Sequence, residues 1–134
     1  MILRRLVYLG RREEPGQGSE EPALRCEGQP LTPQLRVDLV RRRSPWSPSR
    51  PVERILLGTH ADRADLLLEG AGLVADHARL YVSKEDPTVN DLKVPQPDTV
   101  WVNGTAVGPH DWYDLQPGDE LHLGPWRFLF EVAE

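Results

Sequence analysis

The sequence predicts an all-β fold, and three observations carry the prediction. Thirteen prolines and eleven glycines are spread along 134 residues, leaving few windows in which a long helix could survive. The apolar segments are short, and Leu35-Arg36-Val37-Asp38-Leu39-Val40 alternates at period two, as a half-buried strand does. Turn-forming clusters punctuate the rest: Gly70-Ala71-Gly72, Asp86-Pro87, Asn103-Gly104, Gly108-Pro109, Gln116-Pro117-Gly118-Asp119 and Gly124-Pro125. Many short strands at roughly even spacing point to a sandwich or barrel.

Taken in order, Ile2–Leu9 is a strand candidate that either pairs with a short strand at Ala23–Cys26 or joins the main sheet. Gly10 to Pro22 is charged and nearly free of apolar residues, which reads as a mobile loop or linker. Gly28-Gln29-Pro30 reads as a turn. After the Leu35–Val40 strand comes a Pro-rich break, Ser44 to Pro51, and then strand candidates at Arg54–Leu57, Leu66–Leu68, Ala78–Val82, Val100–Val102, Glu120–Leu123 and Arg127–Val132. Asn103-Gly104 between Val102 and Ala106 is a tight-hairpin signal, because a type I′ turn needs positive φ at both central residues. Gln116-Pro117-Gly118-Asp119 is a turn feeding a strand, with Pro fixing φ and Gly free to adopt positive φ. The chain thus divides into an N-terminal extension, residues 1–33, partly strand and partly flexible, and an antiparallel β-sandwich domain, residues 34–134.

Charge narrows the function classes. Residues 1–54 hold 11 Arg against 7 acids, whereas residues 55–134 hold 5 Lys or Arg against 14 acids. A nucleic-acid binder gathers positive charge on its folded domain; here the expected folded part is the acidic half, so no nucleic acid is expected as a partner, and Arg41-Arg42-Arg43 reads as a solvated strand end or loop, with a small local basic patch as the alternative. No apolar run approaches the ~18 residues of a membrane-spanning helix, and Met1–Leu9 is too short and charged for a signal peptide. Cys26 has no second cysteine to pair with, so a cytoplasmic, reducing setting is the simplest reading. Arginine strongly outnumbers lysine, which suggests a bacterial source.

Four segments, in this order, resemble the forkhead-associated (FHA) domain. Ile55-Leu56-Leu57-Gly58-Thr59 followed by Ala64-Asp65-Leu66-Leu67-Leu68 is similar to the family's strand ending in Gly-Arg, a polar loop, then Asp and a short strand. Gly72 to Leu80 resembles the loop with Ser three places before a His-Ala pair, here His77-Ala78. Asn90-Asp91-Leu92 and Val102-Asn103-Gly104 resemble its Asp-Leu and Val-Asn-Gly segments. Leu115 to Gly124 is similar to its closing Leu-x-x-Gly-Asp stretch.

The resemblance implies binding of phosphothreonine in extended peptides, and the residues that would do it are altered. The Arg position is Thr59, the Ser position is Val74, and its often basic neighbour is Ala75, followed by Asp76. No Asn-Gly-Thr precedes Val102-Asn103-Gly104, and the Lys93–Val102 stretch is longer than the family spacing. Asn103-Gly104-Thr105 spells the tripeptide but sits at the hairpin-turn distance from Gly118-Asp119; were it not that turn, Asn103 and Thr105 would face the ligand. A phosphate needs charge-assisted donors to offset its desolvation. Arg63 and Lys93 are the substitute cations in the recognition loops. His77 resembles the family's loop-bracing histidine.

Rival chemistry finds little purchase. The spacings of His60, His77, His110 and His122 match no compact metal motif, so neither metal nor cofactor is expected. The pairs Asp62/Asp65 and Asp111/Asp114 sit in turns, where Asp favours local backbone bonding, and no nucleophile elbow, P-loop or dinucleotide fingerprint occurs. Trp101 and Trp126 read as sheet packing; Trp46 and Trp112 sit in loops and are candidate anchors for a protein partner. The expectation is a non-catalytic protein–protein interaction or scaffold module of FHA type that has lost the usual phosphothreonine-binding residues, its phosphate recognition weakened or lost. Its alternatives are a phosphothreonine-binding module using Arg63, Lys93 and Asn103, or a structural subunit of a larger bacterial assembly such as a secretion or motility complex.

Overall fold

The computed structural model describes residues 2–12, 23–45 and 51–134. Trp46, most of the Pro-rich break and residues 13–22 of the expected linker lie outside them. Two sheets form. The first runs β10 (Thr105–Ala106), β9 (Val100–Val102), β12 (Glu120–Leu123), β13 (Trp126–Ala133), β1 (Leu3–Arg11) and β4 (Arg36–Asp38). The second runs β11 (Trp112–Asp114), β8 (Asn90–Lys93), β7 (Ala78–Ser83), β5 (Val52–Gly58), β6 (Leu66–Glu69), β2 (Arg25–Cys26) and β3 (Gln29–Pro30). Every pairing is antiparallel except β5 with β6, where Leu57 faces Leu66. No helix occurs among the described residues.

The sandwich follows from alternation. Leu6, Leu121, Phe128 and Phe130 of the first sheet share one buried cluster with Ile55, Leu57, Leu66, Leu80 and Leu92 of the second. Each fully buried side chain of this kind stabilises by roughly 1.5–3 kcal/mol. Residues 2–12 and 23–31 contribute β1, β2 and β3 to the same two sheets. β1 lies between β13 and β4, and Leu6, Leu24 and Leu31 belong to the common core. Arg4 of β1 is buried as well. Its guanidinium donates to the Asn90 side chain and to the carbonyls of Asp86 (2.9 Å) and Val89 (3.2 Å). Those partners satisfy donors that burial would otherwise leave costly.

Two short strands depart from expectation. Asn90–Lys93 is too polar to read as a strand, yet Asn90 and Leu92 point inward and Asp91 and Lys93 outward. Trp112 and Tyr113, expected in a polar loop, form β11 against it, Trp112 opposite Lys93. Three residues are too few for alternation to be visible in sequence. Gly28-Gln29-Pro30, expected as a turn, is part turn and part strand: the reversal is at Glu27-Gly28, and Gln29 pairs with Cys26. At Asn103-Gly104 both φ angles are positive, 50° and 85°, the geometry that a tight two-residue hairpin requires.

Candidate functional site

Register gathers three loops at one end of the second sheet. β5 ends at Gly58; β7, antiparallel to it, starts with Ala78 opposite Leu57; β8, antiparallel in turn, ends with Lys93 opposite Arg79. The β5–β6 loop (59–65), the β6–β7 loop (70–77) and the β8–β9 loop (94–99) therefore emerge together. Gly58 is fixed by crowding: a Cβ there would lie 1.9 Å from the Ala75 carbonyl oxygen. Across this close approach the Thr59 amide donates to the Val74 carbonyl at 3.1 Å.

His77 ties the loops together. Its own amide donates to Leu57 O (3.0 Å), its Nδ1 accepts from the Val74 amide (3.3 Å), and its Nε2 lies 2.8 Å from Thr99 O. An accepting Nδ1 leaves the proton on Nε2, so the neutral tautomer links the β6–β7 loop to the β8–β9 loop. Burial pushes the ring's pKa down, and the bond to the Thr99 carbonyl opposes that only in part.

The sequence-derived residues divide into separate places. Thr59 and Val74 meet at the loop end, and neither supplies a positive charge. The β8–β9 loop there exposes Gln96, Pro97 and Asp98, with Asp98 at φ 57°. Arg63 and Ala75 line a cavity beside this end, described below. Lys93 lies on the outer face of β8, with its ammonium 5.0 Å from the centre of the Trp112 ring. Asn103 is at the other end of β9 from Thr99. Its side chain donates to Asp119 (2.9 Å) and accepts from the Glu120 amide (2.9 Å), closing the hairpin turn. Trp112 is 59% exposed and packs edge-on against Tyr81 at 5.3 Å.

The cavity, about 380 Å3, opens on the outer face of β5 and β7, flanked by the β5–β6 loop and residues 43–45. Asp65 builds its wall. This carboxylate is fully buried and accepts from the amides of Arg42 (2.8 Å), Arg43 (2.7 Å), Ser44 (2.8 Å) and Leu56 (2.9 Å) and from the Ser44 hydroxyl (2.6 Å). Burial pushes its pKa up, and these donors outweigh burial, holding it below the ordinary carboxylate value. Residues 42–44 are thereby pinned beside Leu56, the cavity floor.

Four arginines line the space: Arg43, Arg54, Arg63 and Arg79. Arg43 is committed to Glu27, with bonds of 3.0 and 2.6 Å, and Arg79 to Asp76. Arg54 reaches the Ser44 hydroxyl at 3.4 Å, and Arg63 makes no side-chain hydrogen bond or ion pair among the described residues. No sequence motif announces this group, because its members come from four segments. The available signals are faint: Arg54 and Arg79 fall on the outward positions of their strands, and Asp76 precedes Arg79 by three.

Other reactive chemistry is muted. Burial pushes the Cys26 thiol up to about 11, which keeps it protonated and unreactive. No group of three His, Cys, Asp or Glu suited to a metal ion occurs among the described residues.

Fold and site together define a β-sandwich that carries its candidate recognition surface on loops at one end. The chain belongs to the FHA domain family, whose profile matches residues 55–124. Among solved structures it is similar to the FHA domain of the CT664 protein from Chlamydia trachomatis, with 14% identity and TM-score 0.63, covering 98% of this chain and 99% of that one. It is also similar to the FHA domain of an Arabidopsis thaliana hypothetical protein, with 16% identity and TM-score 0.62, covering 98% and 86%. A third is the yeast Dun1 FHA domain in complex with a doubly phosphorylated peptide derived from Rad53, with 18% identity and TM-score 0.61, covering 98% and 74%. No curated protein sequence matches the chain.

Proposed function

We propose that this chain is a non-catalytic protein–protein interaction module of FHA type whose apical loops no longer bind phosphothreonine. The observation that carries the reading is the pair of touching residues at the loop end. Thr59 and Val74 stand where the family resemblance implies Arg and Ser, and they face each other across a 3.1 Å backbone bond. A phosphate with nearly two negative charges needs several charge-assisted donors to offset its desolvation. In place of these stand a hydroxyl, an isopropyl group and, on the β8–β9 loop, the Asp98 carboxylate, which repels it. The substitutes do not converge: Lys93 sits over Trp112 and Asn103 holds a distant turn. The Dun1 FHA domain, solved with a doubly phosphorylated peptide derived from Rad53, supports a protein segment as the kind of partner.

The test is calorimetric titration of the full chain with two degenerate peptide pools, one centred on phosphothreonine and one on glutamate. The expected result is no preference for phosphothreonine over glutamate. Micromolar binding of the phosphothreonine pool with none of the glutamate pool would overturn the reading.

A further inference from the structure

We infer that the arginine-lined cavity on the outer face of β5 and β7 is a binding site for a single carboxylate, an Asp or Glu side chain of the partner protein. This rests on the reading of the chain as an interaction module and names the chemistry of its partner. The cavity lies beside the apical loops, not at their tips, and is bounded by Leu56 below, Arg54 and Arg79 on the sheet, Arg43 above and Arg63 at the loop.

Charge selects the ligand. Four arginines are opposed by four carboxylates: Asp76 and Glu27, committed to Arg79 and Arg43, Asp62 in the cavity lining, and Asp65, buried in the wall and taken up by four amides and a hydroxyl. The formal charges balance, but no carboxylate is bonded to Arg54 or Arg63 among the described residues. A ligand carboxylate supplies that bond with one added charge, whereas a phosphate monoester adds nearly two at neutral pH. The donors are available as well: Arg54 is held by one long bond and Arg63 by none among the described residues. Guanidinium forks match a carboxylate two bonds at a time. At about 380 Å3 the space lies at the small end of ordinary ligand sites, enough for one side chain. Its shape is fixed in advance, because Asp65 pins the wall and Gly58 locks the β6–β7 loop against β5. The buried Leu56 floor keeps water from one side, which strengthens the charge interaction.

The test uses the full chain, fluorescence anisotropy and three degenerate peptide pools that differ at the central position: glutamate, glutamine and phosphothreonine. The glutamate pool is expected to bind more tightly than the glutamine pool. The double variant Arg54→Gln, Arg63→Gln is expected to lose that preference, about tenfold in affinity, with its thermal midpoint nearly unchanged. Equal binding of the glutamate and glutamine pools overturns the inference, as does a glutamate preference that survives in the double variant. Tight binding of the phosphothreonine pool alone, unaffected by the double variant, overturns both this inference and the proposed function. Failure of the glutamate preference by itself leaves the loss of apical phosphate binding standing.

Discussion

Two regions a few residues apart in the chain handle charge in opposite ways. At the loop end, Thr59, Val74 and Asp98 offer no cation. Around the corner, on the outer face of β5 and β7, four arginines surround one cavity. The same loops serve both, since residues 59–63 and 74–76 run from the tip into the cavity wall. One loop scaffold, braced by His77 and Asp65, thus carries arginines on one side and none at its tip.

The largest effect expected from breaking this arrangement is at Asp65. Asp65→Ala leaves the amides of Arg42, Arg43, Ser44 and Leu56 without their buried acceptor. A loss of roughly 3–5 kcal/mol is expected, read as a lowered denaturant midpoint, and a loss below about 1 kcal/mol would show that the carboxylate does not hold the wall.

Next comes the brace between loops. His77→Gln removes bonds to Val74 and Thr99 and is expected to cost roughly 2 kcal/mol at neutral pH. Burial lowers the His77 pKa in the folded state, so the unfolded chain takes up the proton first. The stabilising effect of the neutral ring is complete above the unfolded value of ~6.5 and is lost as pH falls from there toward the folded value. Thermal midpoints measured from pH 7 to pH 5 should fall more steeply for the native chain than for His77→Gln. Parallel curves would mean that the ring does not titrate between the two states.

Placing donors at the loop end sharpens the contrast. The double substitution Thr59→Arg, Val74→Ser is expected to raise affinity for the phosphothreonine pool over the glutamate pool by about tenfold. An unchanged preference would show that loop shape, beyond the missing donors, bars phosphate.

The smallest effect on stability is expected at Trp112. Its exposed ring contacts Tyr81 and Lys93, so Trp112→Ala should change stability by less than about 1 kcal/mol. A substantial loss of partner binding in the same variant would mark β11 as part of the interface; unchanged partner binding would exclude the ring.

Much of the frame was legible in the sequence. Period-two alternation and the turn clusters located β4 to β7, β9, β12 and β13, and Asn103-Gly104 announced its own turn geometry. Gly58, Asp65 and His77 could be picked out by resemblance, although what they touch could not. The place of β1 between β13 and β4 was not legible, because its partner β13 is more than a hundred residues away and leaves no local signal. Nor was the cavity, since Arg43, Arg54, Arg63 and Arg79 become neighbours only after β5, β7 and the Asp65-held segment assemble. Lys93 shows the converse limit: a basic residue beside a recognition loop, turned by strand alternation onto the outer face of β8.

The most direct measurement is a nuclear magnetic resonance titration of the full chain with the glutamate-centred pool, following the Nε–H resonances of Arg54 and Arg63 and the amides of Gln96 and Asp98. Shifts at the two arginines with the β8–β9 loop amides unmoved are predicted. Shifts at Gln96 and Asp98 with both arginines silent would return recognition to the loop tips and contradict the account.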